Sequence, residues 1–482
     1  MNPAVVCTIL SRLFFGAGLF LFFPVITALF YGEPFLPFCA AMLVCFLLAF
    51  IAFKKGIPSV KDLNARECIA VISLTWLSVS FLYVLPYVFS GLLSPLDGLV
   101  ESISGMTGTG ATVFPDLRIV PKSLLLFRAL THWLGGLGII VIFTALFPQF
   151  GKGSARMMDL ESTSSSSARA LPRIKETAKA LFLVYLIFTA AATVVYICLG
   201  MTPFEALSHS LSTIPTGGFS PLNESIGAYD SPLLKMSVFF FMVISSANFS
   251  LYVLAWQRGF SVILQDTEFK VYLGLVGIGS LLIAANLSTA GILPLPEALT
   301  EAFFYAGSTS STTGFSSSDY SVWPAFSQFI LVLLLLTGGC GGSTAGGLKV
   351  YRLILLVKSL YALLRQKLHP NEIFQVRMGK ETFHAKELLH VFYYFFVYLG
   401  FIFLWTLLMT FTGLEIPDAL GLSMTTMSNT GIIPTQLGSF SDLGQLPAGT
   451  KIIAACSMLM GRLECFTLLA LCFPSFWRKT KW

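Results

Sequence analysis

The chain has 482 residues, of which 55% are hydrophobic and 14% aromatic, while only 11% are charged. A soluble domain carries about 25% charged residues, so a deficit of this size excludes a soluble enzyme, a disordered scaffold and a nucleic-acid binder. The net charge of +6 then reads as a topology signal, because Lys and Arg collect on cytoplasmic loops of membrane proteins. The nine cysteines form no CxxC pair and sit mostly in apolar stretches, as small buried side chains do.

Apolar runs long enough to span a bilayer, roughly 20 residues each, lie near 4–31, 36–53, 68–90, 123–148, 179–200, 233–256, 271–292, 325–358, 388–412 and 450–475. The first lacks a small-residue cleavage site and is too long for a signal-peptide core, so it is expected to be retained. With the N-terminus placed inside, the inner loops carry 23 Lys+Arg and the outer segments only Arg118, Lys122, Lys235 and Lys451. Both termini are therefore expected in the cytoplasm. The outer segments hold thirteen acidic residues, a bias that concentrates cations and disfavours anions.

Those outer segments repeat. They run from Asp97 to Gly110, Glu205 to Gly218, Glu301 to Gly314 and Asp418 to Gly431, with the acid thirteen residues before the glycine each time. Six residues before the same glycine stands a hydroxyl: Ser104, Ser212, Ser308 and Thr425. The glycines are 108, 96 and 117 residues apart, so the chain is a fourfold repeat of span, half-helix, turn and span. Each half-helix is too short to cross a bilayer and is expected to re-enter, with its acid in the first turn where a carboxylate complements the helix dipole. Non-helical backbone at membrane depth persists only where it lines water or is buried in protein. Four such turns around one axis can present a ring of carbonyls that replaces the hydration shell of a monovalent cation. The candidate ion-binding residues are Gly108, Thr109 and Gly110; Thr216, Gly217 and Gly218; Thr312, Thr313 and Gly314; and Asn429, Thr430 and Gly431.

The eighth run is interrupted by Thr337-Gly-Gly-Cys-Gly-Gly-Ser-Thr-Ala-Gly-Gly347. Glycine costs about 1 kcal/mol each inside a helix, so this stretch is expected to unwind. Arg462 lies within the tenth run, where a charge costs about 2.5–3.5 kcal/mol on insertion scales and marks a functional site by default. Glu464, two residues on, cannot face it on a helix. Arg128 and His132 read as structural, and Asn248 as an inter-helix hydrogen bond. The Ser162–Ser167 tract in the basic loop 149–179, with Arg365, Lys367, Arg377, Lys380 and Lys386 in 359–387, offers a surface for a soluble subunit or for anionic lipid.

At the level of motifs the chain resembles the TrkH/TrkG–KtrB superfamily of potassium transporters, and within it the TrkH branch. The resemblance rests on Ser104-Gly-Met-Thr-Gly-Thr-Gly-Ala-Thr112, His132-Trp-Leu-Gly-Gly-Leu-Gly-Ile-Ile140, Pro172-Arg-Ile-Lys-Glu-Thr-Ala-Lys179, Ser212-Thr-Ile-Pro-Thr-Gly-Gly-Phe-Ser220, Gly338 to Lys349 and Gly461-Arg-Leu-Glu-Cys-Phe-Thr-Leu-Leu469. It implies an all-α integral membrane protein of about ten transmembrane helices, with four pseudo-symmetric membrane-pore-membrane repeats and re-entrant pore helices around one central pore. Two N-terminal helices (1–60) would precede repeats at 61–160, 161–260, 261–360 and 361–482. It further implies potassium uptake across the bacterial inner membrane and a homodimer with one pore per chain. A cytosolic TrkA-like ring that binds nucleotide would be the gating partner. Gly338, Gly339, Gly341, Gly342, Gly346 and Gly347 would form an intramembrane gate, with Arg462 lining the pore below the filter. No cofactor is expected on the chain; K+ is cargo. The second turn, with Pro215 and Thr216, and the fourth, Ser428-Asn429-Thr430-Gly431-Ile432, depart from the family pattern.

Two other function classes remain to be weighed. An alternating-access symporter coupling K+ to Na+ or H+ would favour inverted repeats and intramembrane acids, whereas these repeats are parallel and Glu464 is the lone acid well inside a run. An enzyme is disfavoured because the five histidines form no HExxH and no close intramembrane pair, and the Gly341–Thr344 segment has no evident partner base.

Overall fold

The computed structural model describes residues 3–56, 65–138, 174–369, 375–379, 381–431 and 443–477. Among them, six helices are long and apolar enough to cross a membrane unbroken: Pro3–Tyr31, Leu36–Lys55, Ile69–Phe89, Ala178–Cys198, Thr267–Thr289 and Ala385–Phe411. Two further spans are bent pairs, Pro232–Ser245 with Phe249–Arg258 at 86° and Ala448–Arg462 with Glu464–Cys472 at 114°. The fourth run appears as Lys122–Leu137, with 139–148 outside the described residues, and the eighth as Ala325–Thr337. All ten runs thus hold helix, but those at 233–256 and 450–475 are not single straight crossings. Among the described residues the elements are helices apart from the antiparallel strands Val376–Met378 and Glu381–Phe383.

Between the spans lie the four half-helices, Pro95–Thr107, Pro203–Thr213, Leu295–Ser310 and Ile416–Ser428. Proline at the first or second position starts each one, where its fixed φ suits a helix and its missing N–H costs nothing. Ser94 caps the first through the Asp97 N–H, and Thr202 with Glu205 makes a complete capping box on the second. Asp97, Glu205 and Asp418 occupy first turns as expected. Glu301 does not. The third half-helix starts six residues earlier, Glu297 takes the first turn, and Glu301 is buried mid-helix, accepting from Ser317 and Ser318 and pairing with Lys235 at 2.7 Å.

One packing rule runs around the molecule. Each half-helix lies against the second span of the preceding repeat: Pro203–Thr213 on Lys122–Leu137, Leu295–Ser310 on Pro232–Ser245, Ile416–Ser428 on Ala325–Thr337, and Pro95–Thr107 on Ala448–Arg462. The last contact closes the circle. Ion pairs follow it at two seams, Lys235 to Glu301 and Lys451 to Asp97 at 2.6 Å. Three of the four basic residues of the outer segments are therefore neutralised by acids, Arg118 with Glu224 being the third. The two N-terminal helices pack outside the circle on Ala65–Leu82 and Lys122–Leu137, leaving Phe30, Leu43 and other large apolar side chains exposed on their far sides, as a lipid-facing surface requires.

Candidate ion-conduction site

The four half-helices end in the same way. The residue two before the repeat glycine has a left-handed backbone: Gly108 (φ 70°), Thr216 (56°), Thr312 (56°) and Asn429 (55°). Its N–H donates three residues back, to Gly105, Thr213, Thr309 and Thr426. The next N–H reaches five back: Thr109 to Ser104 at 2.9 Å, Gly217 to Ser212 at 2.8 Å, Thr313 to Ser308 at 3.0 Å and Thr430 to Thr425 at 2.9 Å. This is the Schellman cap, four times in one register. The Ser104 and Ser308 hydroxyls also donate to the carbonyls of Ala111 and Phe315, seven residues on, which folds the exit strand back against its own helix. Left-handed backbone costs a non-glycine residue roughly 1–2 kcal/mol, and three of the four turns bear it.

The turns adjoin in sequence order around one axis. A Cβ placed on Gly110 would stand 2.1 Å from the Gly217 carbonyl oxygen, and one on Gly218 would stand 2.0 Å from that of Thr313. One on Gly431 would stand 2.9 Å from the Gly110 carbonyl carbon. Asn429 completes the circle by donating from Nδ2 to Thr109 Oγ1 and to the Met458 carbonyl. Gly110, Gly218, Gly314 and Gly431 all line one vestibule of about 380 Å³, rimmed by Phe114, Asn223 and Glu224.

Behind the ring, Arg128 and His132 take the bracing positions the sequence suggests. Arg128 Nε bonds Glu101 Oε1 at 2.6 Å with both side chains buried, and Nη1 reaches the Ser220 carbonyl. Glu101 in turn accepts from the Val113 N–H and the Thr112 hydroxyl. One pair thereby ties together the exit strands of the first and second turns. The His132 ring stacks on Phe219 with centroids 4.0 Å apart. Glu101 escapes a sequence reading because an acid inside an amphipathic half-helix looks like solvent-facing charge.

Beneath the ring, residues 338–349 leave the helix between Ala325–Thr337 and Val350–Leu368, so the glycine stretch unwinds as its composition demands. Its tip touches three turns. Gly346 N–H donates to Thr312 Oγ1 at 2.7 Å, and the Thr344 hydroxyl donates to the Ile214 carbonyl and accepts from the Thr216 hydroxyl at 3.3 Å. A Cβ on Gly346 would stand 2.0 Å from the Ser428 carbonyl oxygen. The Thr216 and Thr312 hydroxyls therefore connect the turns to the segment below. Gly338, Gly339, Gly341, Gly342, Gly346 and Gly347 all lie within this segment.

Arg462 is not mid-helix. It ends Ala448–Arg462 at the 114° bend, where Glu464 has a positive φ of 50°. Arg462 Nη1 donates to the Thr344 carbonyl at 2.8 Å and Nη2 to that of Gly135 at 3.1 Å, pinning the loop tip to the first repeat. Glu464 bonds Arg352 Nη2 at 2.9 Å. A cavity of about 100 Å³ separates these groups from the fourth turn, lined by Gly346, Asn429, Gly461 and Arg462. Asn248 is likewise a cap rather than an inter-helix bridge, its Oδ1 accepting from Ser250 N–H at the break in the sixth span. The Ser162–Ser167 tract, the 139–173 segment and Lys380 lie outside the described residues.

Residues 41–479 match the model of a cation transport protein family, TrkH. The Trk system potassium uptake protein TrkH of Halomonas elongata is 35% identical over 424 residues, 87% of this chain and 87% of that protein. Its counterpart in Escherichia coli K12 is 34% identical over 428 residues, with the same 87% of each chain covered. The crystal structure of the potassium transporter TrkH from Vibrio parahaemolyticus superposes with a TM-score of 0.90 at 30% identity, over 99% of this chain and 100% of that one.

Proposed function

The chain belongs to the TrkH family of cation transport proteins, and on that premise we propose that it takes up potassium through a channel-like pore whose filter is the ring of four capped turns. The observation that carries this reading is the shared register: four Schellman caps with matching hydrogen bonds, adjoining around one axis under one vestibule. Carbonyl oxygens held there by backbone bonds can substitute for the water lost by an entering cation. Uptake is driven by membrane potential, worth about 2.3 kcal/mol per charge per 100 mV. The filter residues are Gly108–Gly110, Thr216–Gly218, Thr312–Gly314 and Asn429–Gly431. The segment 338–349, latched by Arg462, is the gate. Its tip bonds groups directly below the ring, so an ion leaving the filter meets the loop before anything else.

The same reading extends to assembly and placement. The domain boundaries follow the four repeats after two N-terminal helices. The chain transports and does not catalyse, K+ is cargo and no cofactor is assigned. The chain pairs as a homodimer in the bacterial inner membrane with both termini cytoplasmic, supported by the 23-to-4 bias of basic residues. A TrkA-like nucleotide-binding ring docks on the basic face that includes Arg365, Lys367, Arg377 and Lys386.

Reversal potentials of the purified protein in planar bilayers, under opposed K+ and Na+ gradients, test the pore. A reversal near the potassium equilibrium potential, moved toward that of sodium by Gly314→Ser, is the expected result. No passive current, with K+ uptake that requires Na+ or H+, would replace the pore by a coupled symporter.

A further inference from the structure

Two buried side chains from outside the intramembrane segment grip it at different heights, and only Arg462 at the tip has a place in the reading above. The other is Glu268, near the start of Thr267–Thr289 and 7% exposed. Its Oε1 accepts the Gly341 N–H at 2.6 Å and the Tyr351 N–H at 3.0 Å. Gly341 stands on the leg of the loop before the tip and Tyr351 in the first turn of the helix that follows it. One carboxylate oxygen therefore staples the two legs together. The same neck carries backbone bonds from Leu348 to Leu336, Lys349 to Thr337 and Val350 to Gly339. The tip depends instead on side chains: the Arg462 guanidinium and the Lys349 ammonium on its carbonyls, the Thr312 hydroxyl on the Gly346 N–H, and the Thr344 hydroxyl on the Ile214 and Ser245 carbonyls.

We propose that Glu268 is a positioning residue that fixes the neck of the loop, so that opening moves the tip about a stationary base. A buried carboxyl persists where donors satisfy it, and here one donor is the Gly341 N–H of the loop and the other the Tyr351 N–H, which would otherwise be orphaned at a helix start. The arrangement divides the segment in two. The neck is bound by backbone bonds and by the two bonds to Glu268, while the tip is bound by side chains that can turn away. Without Glu268 the legs lose their shared anchor at Gly341 and Tyr351, the tip shifts beneath the turns on the backbone bonds that remain, and the closed position is no longer held.

This inference rests on the loop being the gate, and the test separates the two. The full-length protein is reconstituted in liposomes, and basal K+ efflux is measured per folded molecule together with the K+/Na+ flux ratio. Glu268→Ala is expected to raise basal efflux by about fivefold or more, a coupling of ordinary allosteric size, with the flux ratio unchanged. Glu268→Gln keeps a carbonyl oxygen able to accept both N–H groups and is expected to restore the wild-type rate, which a purely structural lesion would not predict. Wild-type efflux in Glu268→Ala, an altered flux ratio, or a glutamine variant as leaky as the alanine would overturn the proposal. If Glu268→Ala does not fold, Glu268→Asp replaces it, since its shorter side chain cannot reach both legs, and the same outcomes apply. Arg462→Gln run in parallel identifies which idea fails: a leak there without one in Glu268→Ala removes only the staple, whereas no leak in either removes the gate.

Discussion

Adding one methyl group at Gly218 should damage ion discrimination far more than it damages folding. The Cβ of Gly218→Ala would lie 2.0 Å from the Thr313 carbonyl oxygen. Ordinary contact needs more than about 3 Å, so the oxygen must retreat by roughly 1 Å or the second and third turns must part. The backbone at φ 84° adds about 1–2 kcal/mol of strain for an alanine. A filter discriminates by holding all its oxygens at one distance, and displacing one of them costs K+ a full ligand while a smaller, better-hydrated ion loses less. With a loss of about 1.4 kcal/mol in the difference between the two ions, the K+/Na+ permeability ratio falls tenfold. The assay is the bi-ionic reversal potential in planar bilayers, with thermal stability measured beside it. Gly91→Ala is the control, because Gly91 also has a positive φ, of 73°, but open space where its Cβ would stand. It should lose similar stability and keep its selectivity. Equal permeability ratios in wild type and Gly218→Ala, at matched folding, would refute the reasoning.

Three other outcomes follow from the same geometry. Gly346→Ala brings a Cβ to within 2.0 Å of the Ser428 carbonyl, so the loop tip cannot seat under the fourth turn and basal K+ flux should rise; unchanged flux would separate the tip from gating. Glu101→Gln leaves Arg128 buried without its counter-charge, and breaking such a pair costs about 3–5 kcal/mol. Melting temperature should fall sharply and recover in large part in Glu101→Met with Arg128→Met. Asp116, bonded to Asn223 of the vestibule lining, is held below the usual carboxylate range by the Arg118 backbone N–H and the Asn223 amide. Because its folded pKa is depressed, its contribution is present above about pH 3.9 and is lost as pH falls through the lower folded value. Hydrogen exchange of the 114–121 segment, corrected for intrinsic rates, should therefore stay flat from pH 7 down to pH 5 and rise at all these values in Asn223→Ala.

The parts of this molecule legible in its sequence are those written in backbone-determined spacing. The thirteen-residue interval from acid to glycine locates the turns because in three repeats the acid stands in the first turn of the helix and the same cap places the glycine fifteen residues after the helix begins. The hydroxyls at Ser104 and Ser308 were visible for the same reason. Glu301 departs from the pattern because the start of the third half-helix is set by Pro296 and Glu297, not by a fixed distance from Gly314. Proline followed closely by an acid was the better signal. The breaks at 246–248 and 463 were hidden by continuous apolar composition, although Asn248 and the Arg462–Glu464 pair of charges stood where a straight helix could least tolerate them. Glu101 and Glu268 cannot be read at all, since the Arg128 guanidinium and Val113 N–H that meet the first, and the Gly341 and Tyr351 N–H groups that meet the second, are brought close only by the fold.

The circle of repeats also sets a schedule for biogenesis. Its last seam joins Asn429 to Thr109, 320 residues apart, and Lys451 to Asp97, 354 apart. At about 5–20 residues per second, the first half-helix waits roughly a quarter of a minute to a minute after synthesis before its neighbour exists. During that interval the Asp97 carboxylate and the exit strand after Gly110 face an unfinished edge inside the membrane. Insertion factors that shelter polar half-helices should therefore be engaged longest by the first repeat, and a chain truncated before Ala448 should be held by them rather than released.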